Sequence, residues 1–126
     1  MIERPAIVRI QEFDSDDQAH VSIVLAWHDE EFIGEASGPV EWSARPRLVG
    51  EATLRAVEKV TNNSISLSLA AVATTDLGSA QIAVAQVRLD GTSEALVGSA
   101  LLGETNQSAA TVKAVLDALN RRITRD

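Results

Sequence analysis

The order in which hydrophobic periodicity changes along the chain constrains its fold most, because the same order occurs twice. Apolar residues first alternate with polar or small residues, as in strands, and then recur at the 3.6-residue spacing of a helix. The first half predicts strands over 5–10, 21–27 and 31–37 and a helix with an apolar stripe over 48–60, and the second half predicts strands over 65–75, 80–89 and 95–102 and a helix after Asn106.

The two halves also match residue by residue, which indicates an internal duplication. The segment 33–36 matches 97–100 at an offset of 64, and the segment 52–57 matches 114–119 at an offset of 62. The loop between the third strand and the helix is therefore expected to be two residues longer in the first half. We predict one domain over residues 1–126, with a first βββα unit at about 5–62 and a second at about 64–124.

Each predicted unit has one apolar sheet face and one apolar helix stripe, and the two must pack together to exclude water. The predicted fold is therefore α+β, a two-layer sandwich from a duplicated βββα unit. In it, an antiparallel or mixed sheet carries both helices on one face.

The opposite sheet face raises the question of what covers it. Val24 and Ala26 alternate with the main apolar row of one predicted strand, and Ala83 and Ala85 alternate with Ile82 and Val84 in another. Sheets that are apolar on both faces are usually covered twice. With only two helices available, we expect a second subunit as the cover, and hence a homodimer.

Charge and composition exclude several function classes. Eleven Lys and Arg residues against eighteen Asp and Glu give a net charge of -7, which opposes binding to nucleic acid or to an anionic membrane. Without any cysteine, the chain has no disulfide, thiolate metal site or cysteine nucleophile.

The first residues have no basic region followed by an apolar one, so the expected location is the cytoplasm. No stretch is long and apolar enough to span a bilayer.

Local signals predict how the elements begin and end. These are a polar connector over Phe13–Asp17, a hairpin loop over Asp76–Ser79, a turn at Asp90–Gly91, a cap on the first helix from Ser43, and a cap on the second helix from Asn106 or Ser108.

Residues suited to catalysis are few. No phosphate loop, dinucleotide-binding motif or nucleophile elbow occurs, and no serine has a basic partner that the sequence identifies. His28–Glu31 could ligate a metal, but an exposed hairpin tip is the favoured interpretation. Asp14–Asp17 lacks the glycine and the distal glutamate of a calcium loop. The sequence therefore predicts a protein that is not an enzyme and that holds no metal or cofactor.

The two strand-to-helix loops carry the strongest binding signal. Small residues at the end of a strand let a ligand or a second chain approach the backbone, and a following helix offers free amides to a carboxylate. Turns that merely need glycine are the alternative. The candidate ligand-binding residues are Gly34, Ala36, Ser37, Gly38, Pro39, Val40, Gly98, Ala100, Thr105 and Asn106.

The segment Gly34-x-Ala36-x-Gly38-Pro39-Val40-Glu41 resembles the G-x-G-x-G-P-V-D/E loop of the C-terminal regulatory domain of 2-isopropylmalate synthase. The segment 110–121 is similar to the closing helix of that domain, and the likeness runs from about Val21 to Arg122. The resemblance implies a βββα duplication that dimerises and binds leucine at the dimer interface beside these loops. In related citramalate synthases the effector is isoleucine. A chain of 126 residues has no room for the catalytic barrel of such an enzyme.

Two hypotheses follow. In the first, the chain is a non-catalytic, dimeric regulatory-type module that binds a small, amino-acid-like metabolite at the subunit interface. In the second, it is a pure dimerisation or protein-interaction domain without a ligand, its pocket closed by Ala36 and neighbouring side chains.

Overall fold

Six strands and two α-helices form the fold, as described by a computed structural model for residues 4–103 and 106–120. The chain order is strand, strand, strand, helix, given twice. The elements are β1 (Ala6–Ser15), β2 (Gln18–Trp27), β3 (Glu30–Pro39), a 3-10 turn (Trp42–Ala44), α1 (Arg45–Val60), β4 (Leu67–Leu77), β5 (Ala80–Leu89), β6 (Ala95–Leu101) and α2 (Gln107–Leu119).

The strands form two antiparallel sheets of three strands each, ordered β1-β2-β3 and β4-β5-β6. Helix α1 packs on β2 and β3, α2 packs on β5 and β6, and the two helices contact each other. The predicted α+β class and the repeated βββα order are thus confirmed, with the strands divided between two sheets. Buried residues of both units join in one apolar cluster, so the units share a core.

A glycine in each unit brings the third strand against its helix. A Cβ atom on Gly34 would overlap the carbonyl oxygen of Ala52 and the amide nitrogen of Ala56. A Cβ atom on Gly98 would overlap the same two groups of Ala114 and Ala118. These contacts repeat at the predicted offsets, 64 for the strand and 62 for the helix. The two-residue difference between the strand-to-helix connections is therefore confirmed by packing.

β1 is longer than predicted, and the connector predicted over Phe13–Asp17 is wrong for its first three residues. The strand continues to Ser15, and a two-residue turn at Asp16 and Asp17 leads into β2. Both turn residues have positive φ, as a tight hairpin requires. Alternation does not predict this part of the strand because Glu12 and Asp14 occupy helix-facing positions, opposite Val21 and Ala19, where the pattern requires apolar residues.

An arginine, rather than the predicted Ser43 cap, fixes the start of α1. The N-cap position is Ala44, which makes no side-chain capping bond. Arg45 is buried and donates to Glu12 Oε1 at 2.8 Å and to Asp14 Oδ1 at 3.1 Å. Its guanidinium also lies 4.9 Å from the ring centroid of Trp42. The ion pairs explain why two carboxylates lie on the helix side of β1.

We expect Arg45→Gln to lower the free energy of unfolding by about 2 kcal/mol, because the variant loses two charge-assisted hydrogen bonds and leaves carboxylates near the core. The cost stays below that of a fully buried pair because the Asp14 side chain is 58% exposed. Urea denaturation measures the change. Arg47→Gln on the same helix is the control and should cost below about 1 kcal/mol, since the Arg47 side chain is 52% exposed. Equal losses would contradict this role of Arg45.

The second helix begins as predicted. Asn106 Oδ1 accepts a hydrogen bond from the Ala109 amide at 2.7 Å, so Asn106 is the capping residue rather than Ser108. The predicted turn at Asp90–Gly91 is also present. Asp90 accepts hydrogen bonds from the Ser68 and Ser66 hydroxyls, and these bonds lower the pKa of its carboxyl group.

Candidate ligand cleft over the first helix

Two of the ten residues predicted for ligand binding line one cleft. Ala36 and Ser37, on the free edge of β3, form one wall of a cavity of about 380 Å³. The opposite wall is the start of β4, at 67–69, and α1 forms the floor. The cleft therefore lies between the edge of β3 in the first sheet and the edge of β4 in the second sheet. Helix α1 is open to solvent between these two edges.

The cleft contains charges of both signs. Its floor has Arg47, Glu51 and Arg55, at successive turns of α1, and Glu35 lies on the β3 wall. The Arg47, Glu51 and Arg55 side chains are about half exposed, so a ligand reaches them from solvent. Guanidinium groups favour carboxylates, and the two glutamates favour an ammonium group. The arrangement suits a small zwitterion.

Both arginines are anchored to the β4 edge. Arg55 Nη2 donates to the Leu67 carbonyl oxygen at 2.7 Å, and Arg47 Nη2 donates to the Leu69 carbonyl oxygen at 3.0 Å. Arg55 Nε also lies 3.1 Å from Glu58 Oε1. A guanidinium group has five N–H donors, so each arginine keeps further donors for a ligand. These anchors also occupy β4 carbonyls that would otherwise be open to another strand.

Ser37 has a basic partner that the sequence did not identify. Its Oγ lies 2.8 Å from His20 Nδ1, and the His20 ring stacks on Phe13 with centroids 4.9 Å apart. The sequence does not identify this partner. The pair forms because the hairpin register places His20 opposite Ser37 on neighbouring strands, although the two residues are 17 positions apart.

The glycines of the first loop contact α1 rather than an open pocket. Gly34 is buried under Ala52 and Ala56, and a Cβ atom on Gly38 would lie 2.8 Å from Leu48 Cδ2. Neither has positive φ. Pro39 ends β3, and Val40 follows it at the surface. The presence of glycine at 34 and 38 is therefore explained by the close packing of β3 on α1.

The second set of predicted residues lies against α2. Gly98 and Ala100 are on the helix-facing side of β6, opposite Ala85 and Ala83 of β5. The Asn106 side chain caps α2. Thr105 lies outside the described residues. The two predicted loops thus contact different helices.

The outer face of the second sheet is largely apolar. From the strand register, the residues that point away from α2 include Ile82 and Val84 on β5 and Val97 and Leu101 on β6. Val97 and Leu101 are each 64% exposed, and Leu77 at the end of β4 is 67% exposed. Of the described residues on this face, only Arg88 at one end is charged.

The first sheet differs at the equivalent positions. Its outer face has three charged residues, Arg9, Glu31 and Glu35. At the repeat offsets, the second sheet has the uncharged residues Ala71, Ala95 and Ser99 instead. An exposed apolar patch without charges is typical of an interaction surface. The second sheet is therefore the better candidate for a contact with another chain.

In comparisons with known proteins, the chain matches no protein-family model and no curated protein. Among the described residues, neither helix has the length and apolar character needed to cross a membrane.

Proposed function

We propose that the chain is a non-catalytic, dimeric regulatory-type module that binds a small, amino-acid-like metabolite in the cleft over α1, at the subunit interface. The observation that carries the ligand proposal is that two arginines, Arg47 and Arg55, and two glutamates, Glu35 and Glu51, line one cavity beside Ala36. The cavity volume, about 380 Å³, falls in the range of small-molecule sites.

The apolar outer face of the second sheet supports the proposed dimer. With a net charge of -7, two copies repel each other, so a face without acidic residues among those described is the surface on which they approach at least electrostatic cost. Ser37 and Ser68 line the cleft and point to the outer sides of their sheets. A second copy on the outer face of the second sheet would therefore border the cleft at β4.

A thermal-shift screen against leucine, isoleucine, valine and their keto acids at millimolar concentration tests the ligand proposal. A ligand present at about 100 times its Kd stabilises the folded chain by about 2.7 kcal/mol and raises the Tm by several degrees. No shift with any of these compounds would contradict an amino-acid-binding function.

We expect Arg55→Gln to reduce the ligand-induced shift to below about a third, because it removes a guanidinium from the floor of the cleft. Lys59→Gln, one turn later on α1, is the matched control. Lys59 donates to the Ile33 carbonyl oxygen outside the lining of the cleft, so its loss should leave the shift unchanged. Equal responses of the two variants would place the ligand elsewhere.

A pure dimerisation domain is the second candidate, and the packing of the glycines favours it. Gly34, Gly38 and Gly98 are each explained by contacts with their own helices, so they need no ligand. This candidate predicts a stable dimer whose Tm does not respond to any compound of the screen.

A further inference from the structure

The loop between β5 and β6 contains a pair of residues that is prone to a spontaneous backbone reaction. Asp90 is followed by Gly91, and it is the only aspartate that precedes a glycine in the sequence. Glycine has no side chain to hinder its own amide nitrogen, so this nitrogen can attack the side chain of a preceding aspartate. Both residues are exposed to solvent, so water reaches the pair.

The reaction rearranges the backbone without an enzyme. The Gly91 nitrogen forms a bond to Cγ of Asp90, and the hydroxyl of the protonated carboxyl group leaves as water with the amide proton. The product is a cyclic succinimide, which a water molecule opens at either carbonyl carbon. Opening at Cγ restores aspartate. Opening at the main-chain carbonyl carbon gives isoaspartate, in which the backbone runs through Cβ.

Two serines, Ser66 just before β4 and Ser68 within it, hold the carboxyl group of Asp90. The Ser68 hydroxyl donates to Asp90 Oδ1 at 2.6 Å, and the Ser66 hydroxyl donates to Oδ2 at 2.9 Å. The Asp90 amide also donates to the Ser66 carbonyl oxygen at 2.9 Å. Both carboxylate oxygens are thus bonded to side chains of another segment, and Cγ must leave these hydroxyls before it can rotate towards the Gly91 nitrogen.

The same hydrogen bonds keep the carboxyl group ionised. The bonds from Ser68 and Ser66 lower the pKa of Asp90, and the positive charges of Arg55 on α1 and Arg88 on β5 lower it further. Hydrogen bonds to a carboxylate favour its charged form. A carboxylate has no hydroxyl to release as water, so it reacts far more slowly than the protonated group. At mildly acidic pH, the reactive fraction of Asp90 is therefore smaller than that of a free aspartate.

The backbone of the loop is also held in place. Thr92 donates to the Leu89 carbonyl oxygen from its amide at 3.2 Å and from its hydroxyl at 2.8 Å, and the Glu94 amide donates to Thr92 Oγ1 at 3.1 Å. Ring closure requires the backbone to turn the Gly91 nitrogen towards Cγ of Asp90. A loop that is ordered on the far side of Gly91 resists this rotation.

We propose that Asp90 is a site of spontaneous isoaspartate formation, and that the hydroxyls of Ser66 and Ser68 keep it unmodified. The serines act in two ways, because they restrain Cγ and keep the carboxyl group in its unreactive, charged form. Isoaspartate adds one carbon to the backbone between β5 and β6 and moves the carboxylate to the Cα atom, so the serine hydrogen bonds cannot re-form in the same geometry. The proposal requires neither a ligand nor a dimer and is independent of the proposed function.

Incubation of the full chain at mildly acidic pH, below its Tm, followed by site-resolved peptide mapping tests the proposal. Isoaspartate at position 90 is identified by mass spectrometry and by its methylation with a protein isoaspartate methyltransferase. We expect the double variant Ser66→Ala, Ser68→Ala to form it about threefold faster or more, because both bonds to the carboxylate are lost. Both serines are exposed, so the core is unchanged, and urea denaturation checks that the variant is folded.

Three further variants identify the cause of a faster reaction. Replacing both serines by threonine keeps the two hydroxyls, and Ser64→Ala removes a hydroxyl that does not bond to Asp90, so both should react at the rate of the unmodified chain. Gly91→Ala, added to the alanine double variant, should suppress the reaction because its methyl group hinders the attacking nitrogen.

The proposal is overturned if the alanine double variant forms isoaspartate at position 90 no faster than the unmodified chain. It is also overturned if the threonine variant or Ser64→Ala reacts as fast as the alanine double variant, since the hydroxyl bonds would then not control the rate. Absence of isoaspartate at position 90 from every variant would show that Asp90 is not a reactive site.

Discussion

Replacing Gly34 or Gly98 by alanine should lower the free energy of unfolding by about 3 kcal/mol. In each case the added methyl group would occupy the space of two backbone atoms of a helix, and backbone atoms cannot move aside as a side chain can. The helix must therefore shift from its sheet and open the core shared by the two units. The lower entropy of alanine in the unfolded chain offsets at most about 1 kcal/mol. Urea denaturation of the two variants measures the losses.

Gly38→Ala is the matched control, because Gly38 is also a β3 glycine without positive φ. The three atoms nearest to its added methyl group would all belong to the Leu48 side chain, which can change rotamer. We expect a loss below about 1 kcal/mol. If Gly34→Ala were no more costly than Gly38→Ala, the close strand-to-helix contact would not be a main determinant of the fold. If Gly98→Ala were harmless while Gly34→Ala was costly, the energetic equivalence of the two units would fail.

Val97→Lys should raise the Kd of the proposed dimer by about a hundredfold or more. Val97 lies in the outer face of the second sheet, where only Arg88 is charged among the described residues, and it is 64% exposed in the single chain. A dimer would contain two copies of the new lysine, each losing hydration in an apolar contact without an acidic partner on that face. Analytical ultracentrifugation over a range of concentrations measures the change.

The duplication supplies the control for this variant. Ile33 occupies the equivalent position in the first sheet, at the offset of 64, and is 45% exposed. Its face has Arg9, Glu31 and Glu35, so a lysine there has charged neighbours and water. Ile33→Lys should leave the dimer intact. Equal effects of the two substitutions, or none from Val97→Lys, would contradict the choice of the second sheet as the contact surface.

Elements with regular periodicity were predictable from the sequence. β5 has the bounds that the alternation predicts, and the repeat offsets are confirmed by the contacts of Gly34 and Gly98. The bounds of β5 depend on short-range spacing and the offsets on a comparison of the two halves, and the sequence contains both directly. The division into two sheets was not predictable, because the pattern does not specify which strand edges pair.

The missed features all depend on contacts between distant residues. The end of β1 looked like a connector because Glu12 and Asp14 need Arg45, more than 30 residues later, as their partner on the helix side. The link between Ser37 and His20 depends on hairpin register in the same way. The loop glycines were recognised as unusual, but the sequence does not tell whether a ligand or a helix approaches them.

The structure also changes which substitution probes a ligand site. Gly38→Val would be the natural choice if the loop lined an open pocket, but a side chain there meets Leu48 in the core. A loss of ligand response could then reflect damage to the fold. Arg55 is the better probe, because its side chain lies on the floor of the cleft and is about half exposed.

Light scattering of the unmodified chain after size exclusion tests most directly whether a second copy covers the open sheet face. We expect a mass of twice 13.4 kDa at micromolar concentration, with Val97→Lys shifted towards the single-chain mass. A mass of 13.4 kDa at every concentration would contradict the dimer and the placement of a ligand at its interface.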